Sequence, residues 1–175
     1  MNIRLVITDI DGVWTDGGMY YAADGGEWKR FNTADSEGVL YCKAAELELA
    51  ILTGEDTPIV QRRAEKLGIE RVYTGVKDKL GRAEKLCAEL GISLEETAFI
   101  GDGISDLSLL RRVGFAATVP DAPRYIREVA HYVTGTRGGH GAFREFVTQI
   151  LGRAGTLEKA RERVVRELTG GAGAE

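Results

Sequence analysis

The sequence predicts an α/β fold: a doubly wound, Rossmann-like parallel sheet with helices on both of its faces. Short apolar segments recur along the chain, each ends in a polar loop, and a helical pattern follows each loop. Strands that alternate with helices in this way form parallel sheets that are covered on both sides. The length of 175 residues suits one compact domain and leaves little room for a second.

The predicted strands are short and apolar. They cover 4–10, 50–52, 72–73, 98–100, 115–119 and 132–133. The predicted helices lie at 36–48, 57–67, 79–90, 104–112, 123–130 and 141–152. Because ligands of parallel α/β sheets bind at the carboxyl ends of the strands, we expect the functional site to be built from the polar loops that follow these strands.

One segment, 18–31, interrupts this alternation. Aromatic residues stand on both sides of a Gly-rich turn at 24–26, which is typical of a β-hairpin. Because the hairpin follows the first strand directly, we expect it to stand as a flap beside the site. No other insertion is long enough for a cap domain. We therefore assign 1–154 to one domain and 155–175 to a C-terminal helical extension with a flexible tail.

The composition argues against several classes of protein. It is 43% hydrophobic and 29% charged, and no run approaches the roughly 18–20 apolar residues of a membrane span. The net charge of -4 comes from interleaved acidic and basic residues, which indicates no nucleic-acid-binding face. The N-terminal segment lacks the features of a signal peptide, and Cys42 and Cys87 lack metal-binding spacing. We therefore expect a cytoplasmic protein with two free thiols.

Carboxylates follow two of the predicted strands. Asp9 and Asp11 flank one residue after the first strand, and Asp102 and Asp106 follow the fourth. One carboxylate can attack phosphorus and form an aspartyl-phosphate, while a second protonates the leaving oxygen and then accepts a proton from water. Like charges this close need a cation between them, and hard oxygen ligands favour Mg²⁺. We expect Asp106 either to bind the metal or to support the metal-binding loop.

Two more strand ends supply groups that can bind phosphate. Thr53 and Gly54 follow the second strand, where a hydroxyl and nearby amides can donate to phosphate oxygens. Lys79 opens the helix after the third strand, where an ammonium group can neutralise charge in a phosphoryl-transfer transition state. The residues thus predict phosphoryl-transfer chemistry at one edge of the sheet.

These residues also carry a resemblance to a known family. TDIDGVWTDG, the Thr53-Gly54 turn, Lys79 and GDGISD are similar, in this order, to the four motifs of the haloacid dehalogenase superfamily. The span 3–151 resembles the capless branch of sugar-acid phosphatases within it. The stretches that carry this second likeness are DGVWTDGGM, GGEWKRFNTADSEG, ILTGEDTPIVQRRAEKLGI, GVKDKL and RGGHGAFRE.

The resemblance implies roles for the site residues. It makes Asp9 the nucleophile and Asp11 the acid/base. It has Mg²⁺ bound by Asp9, by the main-chain carbonyl of Asp11 and by Asp102, with Thr53 and Lys79 on the phosphate. It further implies a homotetramer in which the hairpin and a neighbouring subunit close the site, which would account for the missing cap.

Three residues separate the branches by substrate. Phosphatases of 3-deoxy-D-manno-octulosonate 8-phosphate usually carry Thr-Gly-Arg after the second strand, whereas this chain has Glu55 in the third place. Glu55, Arg63 and Lys66 match the trio that phosphatases of 2-keto-3-deoxynononate 9-phosphate use around the sugar acid. A cation can bind the substrate carboxylate, and a glutamate can accept from its hydroxyls. We therefore favour the nine-carbon acid, with the eight-carbon acid and N-acetylneuraminate 9-phosphate as alternatives.

One departure from the family pattern lies beside a metal ligand. Related sequences usually read Gly-Asp-Asp where this chain has Gly103 after Asp102. We expect activity with weaker metal binding. The alternative outside enzymology is a binding module that drives tetramer assembly, although the complete motif set favours catalysis. A phosphotransferase or mutase is less compatible, because such enzymes typically need a cap to exclude water.

Overall fold

The computed structural model describes residues 2–170. Its strands are β1 (Leu5–Thr8), β2 (Tyr20–Tyr21), β3 (Glu27–Trp28), β4 (Glu48–Leu52), β5 (Arg71–Tyr73), β6 (Thr97–Ile100), β7 (Phe115–Thr118) and β8 (Tyr132–Val133). Its helices are α1 (Ala34–Ala44), α2 (Pro58–Leu67), α3 (Lys79–Leu90), α4 (Leu107–Leu110), α5 (Arg124–Arg127), α6 (Ala142–Ala154) and α7 (Leu157–Leu168). Short 3₁₀ turns lie at Leu94–Glu96 and Ile104–Asp106.

The central sheet has the strand order β5-β4-β1-β6-β7-β8, and every neighbouring pair is parallel. After β1, the chain builds one half of the sheet through β4 and β5, then returns to build the other half from β6 to β8. The strand order therefore reverses at β1, and the crevice at the carboxyl ends of β1 and its neighbours is where such sheets bind ligands. The predicted doubly wound parallel sheet is confirmed.

Two helical layers cover the sheet. Successive side chains of a strand point to opposite faces, so Val6 joins a buried cluster with residues of α1, α2, α6 and α7, whereas Leu5 and Ile7 join a second cluster with residues of α3, α4 and α5. All four residues of β1 are buried, which makes this strand a well-packed support for the loop that follows it. Cys42 and Cys87 are buried free thiols within these layers, as expected.

Some element ends differ from the prediction. The helix expected over 36–48 ends at Ala44, and β4 begins at Glu48. Glu46 adopts a left-handed conformation with a φ of 57°, which terminates the helix. The sequence there carries neither Gly nor Pro, so the break had no local signal. The helices expected over 104–112 and 123–130 are also shorter, as α4 and α5.

The hairpin predicted over 18–31 is present as a flap formed by β2 and β3. The strands pair antiparallel, with Tyr20 opposite Trp28. The turn contains Gly25 at a φ of 88°, which a residue without a side chain adopts readily. Tyr21 and Trp28 on the flap are 72% and 69% exposed, so much of the flap's aromatic surface faces away from the core. Residues 2–170 contain no inserted cap domain, in line with the expectation.

The C-terminal helix α7 packs on the same core as the rest of the chain. Ala160 and Val164 are buried in the cluster with α1 and α6, and Arg163 Nη1 donates to the carbonyl oxygen of Ala44 at 2.9 Å. Residues 171–175, where a flexible tail is expected, lie outside the described residues. In the part of the chain that the structure describes, no helix is both long and apolar enough to span a bilayer.

Candidate active site

The carboxyl ends of the central strands bring the predicted site residues together. Asp9 follows β1, and its amide donates to the carbonyl oxygen of Ile100 at the end of β6, with an N–O distance of 3.0 Å. Thr53 follows β4 and is buried, and Lys79 is the first residue of α3. This convergence follows from the register, since Thr8 pairs with Ile100 on one side and Ile51 on the other.

Lys79 holds two carboxylates in a buried ionic cluster. Its side chain is only 1% exposed, and its Nζ lies 2.8 Å from Asp9 Oδ2 and 2.5 Å from Asp106 Oδ1. Burial by itself lowers the pKa of Lys79, but the two carboxylates outweigh burial, and the net shift of its pKa is upward. The ammonium group is therefore kept charged at a place where a phosphoryl group would need a cation.

Asp106 supports the loop that carries Asp102. Its Oδ2 accepts hydrogen bonds from the amides of Asp102 and Gly103 at 3.0 and 2.9 Å, while its Oδ1 accepts from Lys79. Gly101 stands directly against this side chain, because a Cβ at position 101 would lie 2.5 Å from Asp106 Cγ. With both of its oxygens engaged, Asp106 is placed to orient the Asp102 loop, one of the two roles that the sequence left open.

Three carboxylates form an acidic cluster that fits a divalent cation. Asp9, Asp102 and Asp106 each offer an oxygen within 4.8 Å of the others. Burial, followed by the charge of Asp106, raises the pKa of Asp9 to about 7 and the pKa of Asp102 to about 6. Three carboxylates adjoin a single lysine here, so the cluster carries an excess of negative charge when all of them are ionised. An oxygen-ligated cation such as Mg²⁺ would relieve that excess.

Gly12 is required by the close approach of its loop to this cluster. Its φ is 81°, and a Cβ at this position would lie 2.0 Å from Asp102 Oδ2. A side chain would therefore displace the Asp102 carboxylate even if the backbone conformation were tolerated. The presence of glycine at position 12, directly after Asp11, is therefore explained by the lack of space for a side chain.

Asp11 is held by a residue that the sequence did not identify as part of the site. Lys29 Nζ lies 2.8 Å from both Oδ1 and Oδ2 of Asp11, and the Lys29 side chain is fully buried. Thr15 Oγ1 donates to Asp11 Oδ1 at 3.1 Å. Lys29 follows β3 and therefore comes from the flap. The available signal was the two-residue period of a strand, which places Lys29 on the opposite face from the exposed Trp28.

An open cleft of about 300 Å³ lies over these groups. Its walls are formed by Asp9, Asp11, Thr53, Gly54, Glu55, Val76, Lys77, Lys79 and Ser105. The cleft therefore brings together both carboxylates of the DxD pair, the three predicted phosphate-binding residues and Glu55. Lys77 and Ser105 are additional polar residues that the sequence pattern did not single out.

Two of the three predicted substrate-binding residues do not line this cleft. Arg63 on α2 donates through Nη2 to Ser36 Oγ at 2.9 Å and to the carbonyl oxygen of Asn32 at 3.4 Å. Its guanidinium carbon lies 5.8 Å from the centre of the Phe31 ring. Lys66 is exposed near the end of α2. Within one chain, only Glu55 of the trio therefore faces the cleft.

The fold and the site together are typical of one class of protein. A parallel α/β sheet presents paired aspartates, a buried lysine and an acidic cluster that could hold a metal ion at its switch point, as in enzymes that transfer phosphoryl groups through an aspartate. Comparison with known proteins identifies the family. Residues 69–145 match the model of the haloacid dehalogenase-like hydrolases.

A named phosphatase is similar in sequence over most of the chain. The 3-deoxy-D-manno-octulosonate 8-phosphate phosphatase KdsC of Haemophilus influenzae is 40% identical over 150 residues, which cover 86% of this chain and 83% of the relative. The chain therefore belongs to the haloacid dehalogenase-like hydrolase family, and it is a phosphoric monoester hydrolase. The resemblance inferred from the motifs is confirmed.

Two solved structures show the same architecture. A probable YrbI family phosphatase from Pseudomonas syringae pv. phaseolicola has a TM-score of 0.89 at 45% identity, with 92% of each chain covered. The 3-deoxy-D-manno-octulosonate 8-phosphate phosphatase of Moraxella catarrhalis, in complex with magnesium, phosphate and KDO, has a TM-score of 0.87 at 38% identity, with 90% of each chain covered. Together with the acidic cluster, the magnesium of this relative confirms the expected cofactor.

Proposed function

We propose that the protein hydrolyses the phosphomonoester of a keto-deoxy sugar acid through an aspartyl-phosphate on Asp9. The observation that supports this proposal best is that Asp9 lines the cleft together with the other groups needed for the reaction. Its carboxylate is paired with the buried Lys79 and adjoins Asp102, and Asp11 lies on the same cleft wall. These are the groups that nucleophilic catalysis on phosphorus needs in one place.

The proposed chemistry has two steps. A carboxylate oxygen of Asp9 attacks phosphorus, the bond to the ester oxygen breaks, and Asp11 gives that oxygen its proton so that the sugar acid leaves as an alcohol. Water then attacks the phosphorus of the aspartyl-phosphate and gives a proton to Asp11, which releases inorganic phosphate and restores the Asp9 carboxylate. Lys79 neutralises charge on the phosphoryl oxygens in both steps, and Thr53 and Gly54 bind the phosphate.

The magnesium ion would be held by Asp9, Asp102 and the main-chain carbonyl of Asp11. When bound, it neutralises negative charge on the carboxylates and the phosphate, so that the anionic nucleophile and the anionic substrate can approach each other. Asp106 supports this arrangement from behind, through its hydrogen bonds to the amides of Asp102 and Gly103.

The leading substrate is 3-deoxy-D-manno-octulosonate 8-phosphate. Relatives about 40% identical over most of the chain carry that activity in their names. The nine-carbon acid that the sequence favoured stays as a second candidate, because Glu55 lines the cleft and can accept from a sugar hydroxyl. The nine-carbon acid has weaker support, because Arg63 and Lys66 do not reach the cleft of their own chain.

A homotetramer would reconcile these positions. The cleft is open, and the flap presents Tyr20, Tyr21 and Trp28 to solvent. A neighbouring copy that covers this flap would bury aromatic surface, exclude water from the cleft and bring its own Arg63 and Lys66 within reach of substrate. Light scattering on the purified protein tests the assembly directly, and a monomer at micromolar concentration would contradict this part of the proposal.

The decisive experiment measures kcat/KM with Mg²⁺ for three substrates. These are 3-deoxy-D-manno-octulosonate 8-phosphate, 2-keto-3-deoxynononate 9-phosphate and N-acetylneuraminate 9-phosphate. A preference of tenfold or more, about 1.4 kcal/mol of transition-state discrimination, assigns the substrate. A protein that hydrolyses none of the three, nor a generic aryl phosphate, would contradict the proposed function and favour the binding module.

A further inference from the structure

The acid/base proposed above needs a defined orientation. The terminal torsion of an aspartate side chain has broad minima, so an unrestrained carboxylate turns easily. Asp11 lies in a loop, and its side chain is 23% exposed. Packing alone therefore does not settle which of its oxygens meets the leaving group of a substrate.

Hydrogen bonds from two residues settle the orientation. Oδ1 of Asp11 accepts from both Lys29 Nζ and Thr15 Oγ1, whereas Oδ2 accepts only from Lys29 Nζ. Each carboxylate oxygen has about two acceptor sites. Oδ1 is therefore saturated, and Oδ2 keeps one site for a proton. A proton carried on Oδ2 leaves both donors a partner at Oδ1.

The Lys29 side chain is tied to this position by its burial. It is 0% exposed although it belongs to a flap whose other side chains largely face solvent. Besides Asp11, its Nζ has Glu27 Oε1 at 3.9 Å and Met19 Sδ at 3.8 Å. A buried ammonium group without a carboxylate partner is strongly unfavourable. The ion pair with Asp11 therefore stabilises the position of the flap against the loop that follows β1.

The adjacent residue shows that this contact is specific. Arg30 also lies on the flap, but its guanidinium is 52% exposed and pairs with Asp16 at 3.3 Å. Asp16 does not line the cleft. Two cations in succession thus bind two different aspartates of the same loop, and only Lys29 reaches one that faces the cleft.

We propose that Lys29 is the positioning residue that orients Asp11 for proton transfer to the leaving oxygen. This role rests on the proposed function, in which Asp11 Oδ2 gives its proton to the ester oxygen while the phosphorus–oxygen bond breaks. Lys29 is not among the residues that line the cleft, so its role is carried through Asp11.

The test compares two esters whose leaving groups differ in their need for a proton. The leaving oxygen of 3-deoxy-D-manno-octulosonate 8-phosphate is an alkoxide unless it is protonated, whereas 4-nitrophenyl phosphate releases a stable phenolate. For K29M, we expect kcat/KM to fall at least about 30-fold on the sugar-acid ester and no more than about threefold on the aryl ester. For K29R, which retains a cation for Asp11, we expect a ratio between the two esters closer to that of the wild type.

The matched control is R30M, which removes the neighbouring flap cation and leaves Asp11 untouched. Its ratio of kcat/KM between the two esters should equal that of the wild type. A merely structural defect would lower both esters equally. Equal losses in K29M, or no loss on either ester, would therefore overturn the proposal for Lys29. Should K29M fail to fold, K29Q removes the cation from Asp11 while keeping a polar side chain, and the larger loss is again expected on the sugar-acid ester.

The wild type separates this proposal from the proposed function. Hydrolysis of 4-nitrophenyl phosphate that requires Mg²⁺ and disappears in D9N establishes the phosphatase whatever K29M does. If the wild type hydrolyses neither ester, the proposed function fails and the role of Lys29 fails with it. If the wild type is active and the ratio in K29M is unchanged, only the role of Lys29 fails.

Discussion

Two lysines with buried side chains hold the two aspartates of the DxD pair, and the regions that carry them differ. Lys79 begins the twelve-residue helix α3 and lies between Asp9 and Asp106. Lys29 follows a strand of two residues in the flap and binds Asp11. The same kind of ion pair is thus formed once in the core, by Lys79, and once by the flap, through Lys29.

The two ion pairs differ in how deeply their carboxylates are buried. The partners of Lys79 are themselves nearly or fully buried, so the cluster is built into the core and needs no movement to form. The partner of Lys29 is 23% exposed, and the flap that carries Lys29 is a separate two-stranded sheet. Under the proposed function, Lys79 would belong to a phosphate site built into the core, whereas the acid/base Asp11 would be oriented from the flap.

Replacing Lys79 should have the largest effect. K79M leaves the buried carboxylates of Asp9 and Asp106 without their cation, which should cost about 3–5 kcal/mol of unfolding free energy. K29M should cost only about 1–2 kcal/mol, because water can solvate the freed Asp11. Urea unfolding of both variants without Mg²⁺ measures the difference. Equal losses would mean that the two lysines are equivalent supports.

Replacing Asp9, the proposed nucleophile, should abolish turnover and spare the fold. D9N keeps the size of the side chain and leaves Lys79 paired with Asp106, so we expect phosphate release below about 1% of the wild-type rate. The melting temperature, measured alongside, should stay at or above the wild-type value, since one of the crowded charges is gone. Turnover well above this level would exclude covalent catalysis by Asp9.

Asp35 extends the comparison to a buried carboxylate that accepts a hydrogen bond from a backbone amide rather than from a lysine. Its side chain is fully buried, its Oδ1 accepts from the amide of Arg144 in the first turn of α6, and its Oδ2 accepts no hydrogen bond from the described residues. Burial raises its pKa to about 6, above the value of 3.8 for an unperturbed aspartate. The folded state therefore favours the protonated form.

Because the folded state favours the protonated form of Asp35, the stability that Asp35 contributes should fall as the pH rises. The contribution of Asp35 to stability is fully present below its unfolded pKa and is lost as the pH rises through about 6. Relative to D35N, the wild type should lose up to about 3 kcal/mol of unfolding free energy between about pH 4 and pH 7. Urea titrations of both proteins across this range measure the difference. A constant difference would show that the amides of α6 fully compensate for burial.

The smallest expected effect concerns the edge of the metal cluster. Gly103 has an ordinary φ of -113°, and a Cβ there would lie 3.7 Å from Asp106 Oδ2, so a side chain fits. G103D should lower the Mg²⁺ concentration for half-maximal activity severalfold, because it adds a carboxylate beside Asp102. G103N is the control of equal size without the charge. Indistinguishable Mg²⁺ titrations for the wild type and G103D would refute the idea that Gly103 weakens metal binding.

Much of the central sheet, and of the site at the ends of its strands, could be predicted from the sequence. Apolar segments of strand length, each followed by a polar loop, predicted all six strands of the sheet and the edge at which Asp9, Thr53, Lys79 and Asp102 meet. This works because parallel strands in an alternating chain must end at one edge. The helix boundary at Glu46 was missed because nothing in the local sequence marks the left-handed turn there.

The contacts made by the flap were harder to predict from the sequence. The hairpin itself was predicted from its Gly-rich turn, but the contact between Lys29 and Asp11 joins residues 18 positions apart across a loop. Arg63 was expected at the substrate, and within its own chain its guanidinium donates to Ser36. Long cationic side chains reach several ångströms in many directions, so their partners depend on which elements pack beside them.

The sequence by itself determined the fold class, the order of the strands along the chain and the aspartates, lysine and threonine at the strand ends, because local periodicity and motif spacing are properties of the chain. Only the tertiary structure decided which lysine binds Asp11, that Asp106 supports the Asp102 loop, and that Glu55 faces the cleft while Arg63 does not. Those pairings depend on burial and distance between elements, and neither exists before the sheet and its two helical layers have packed.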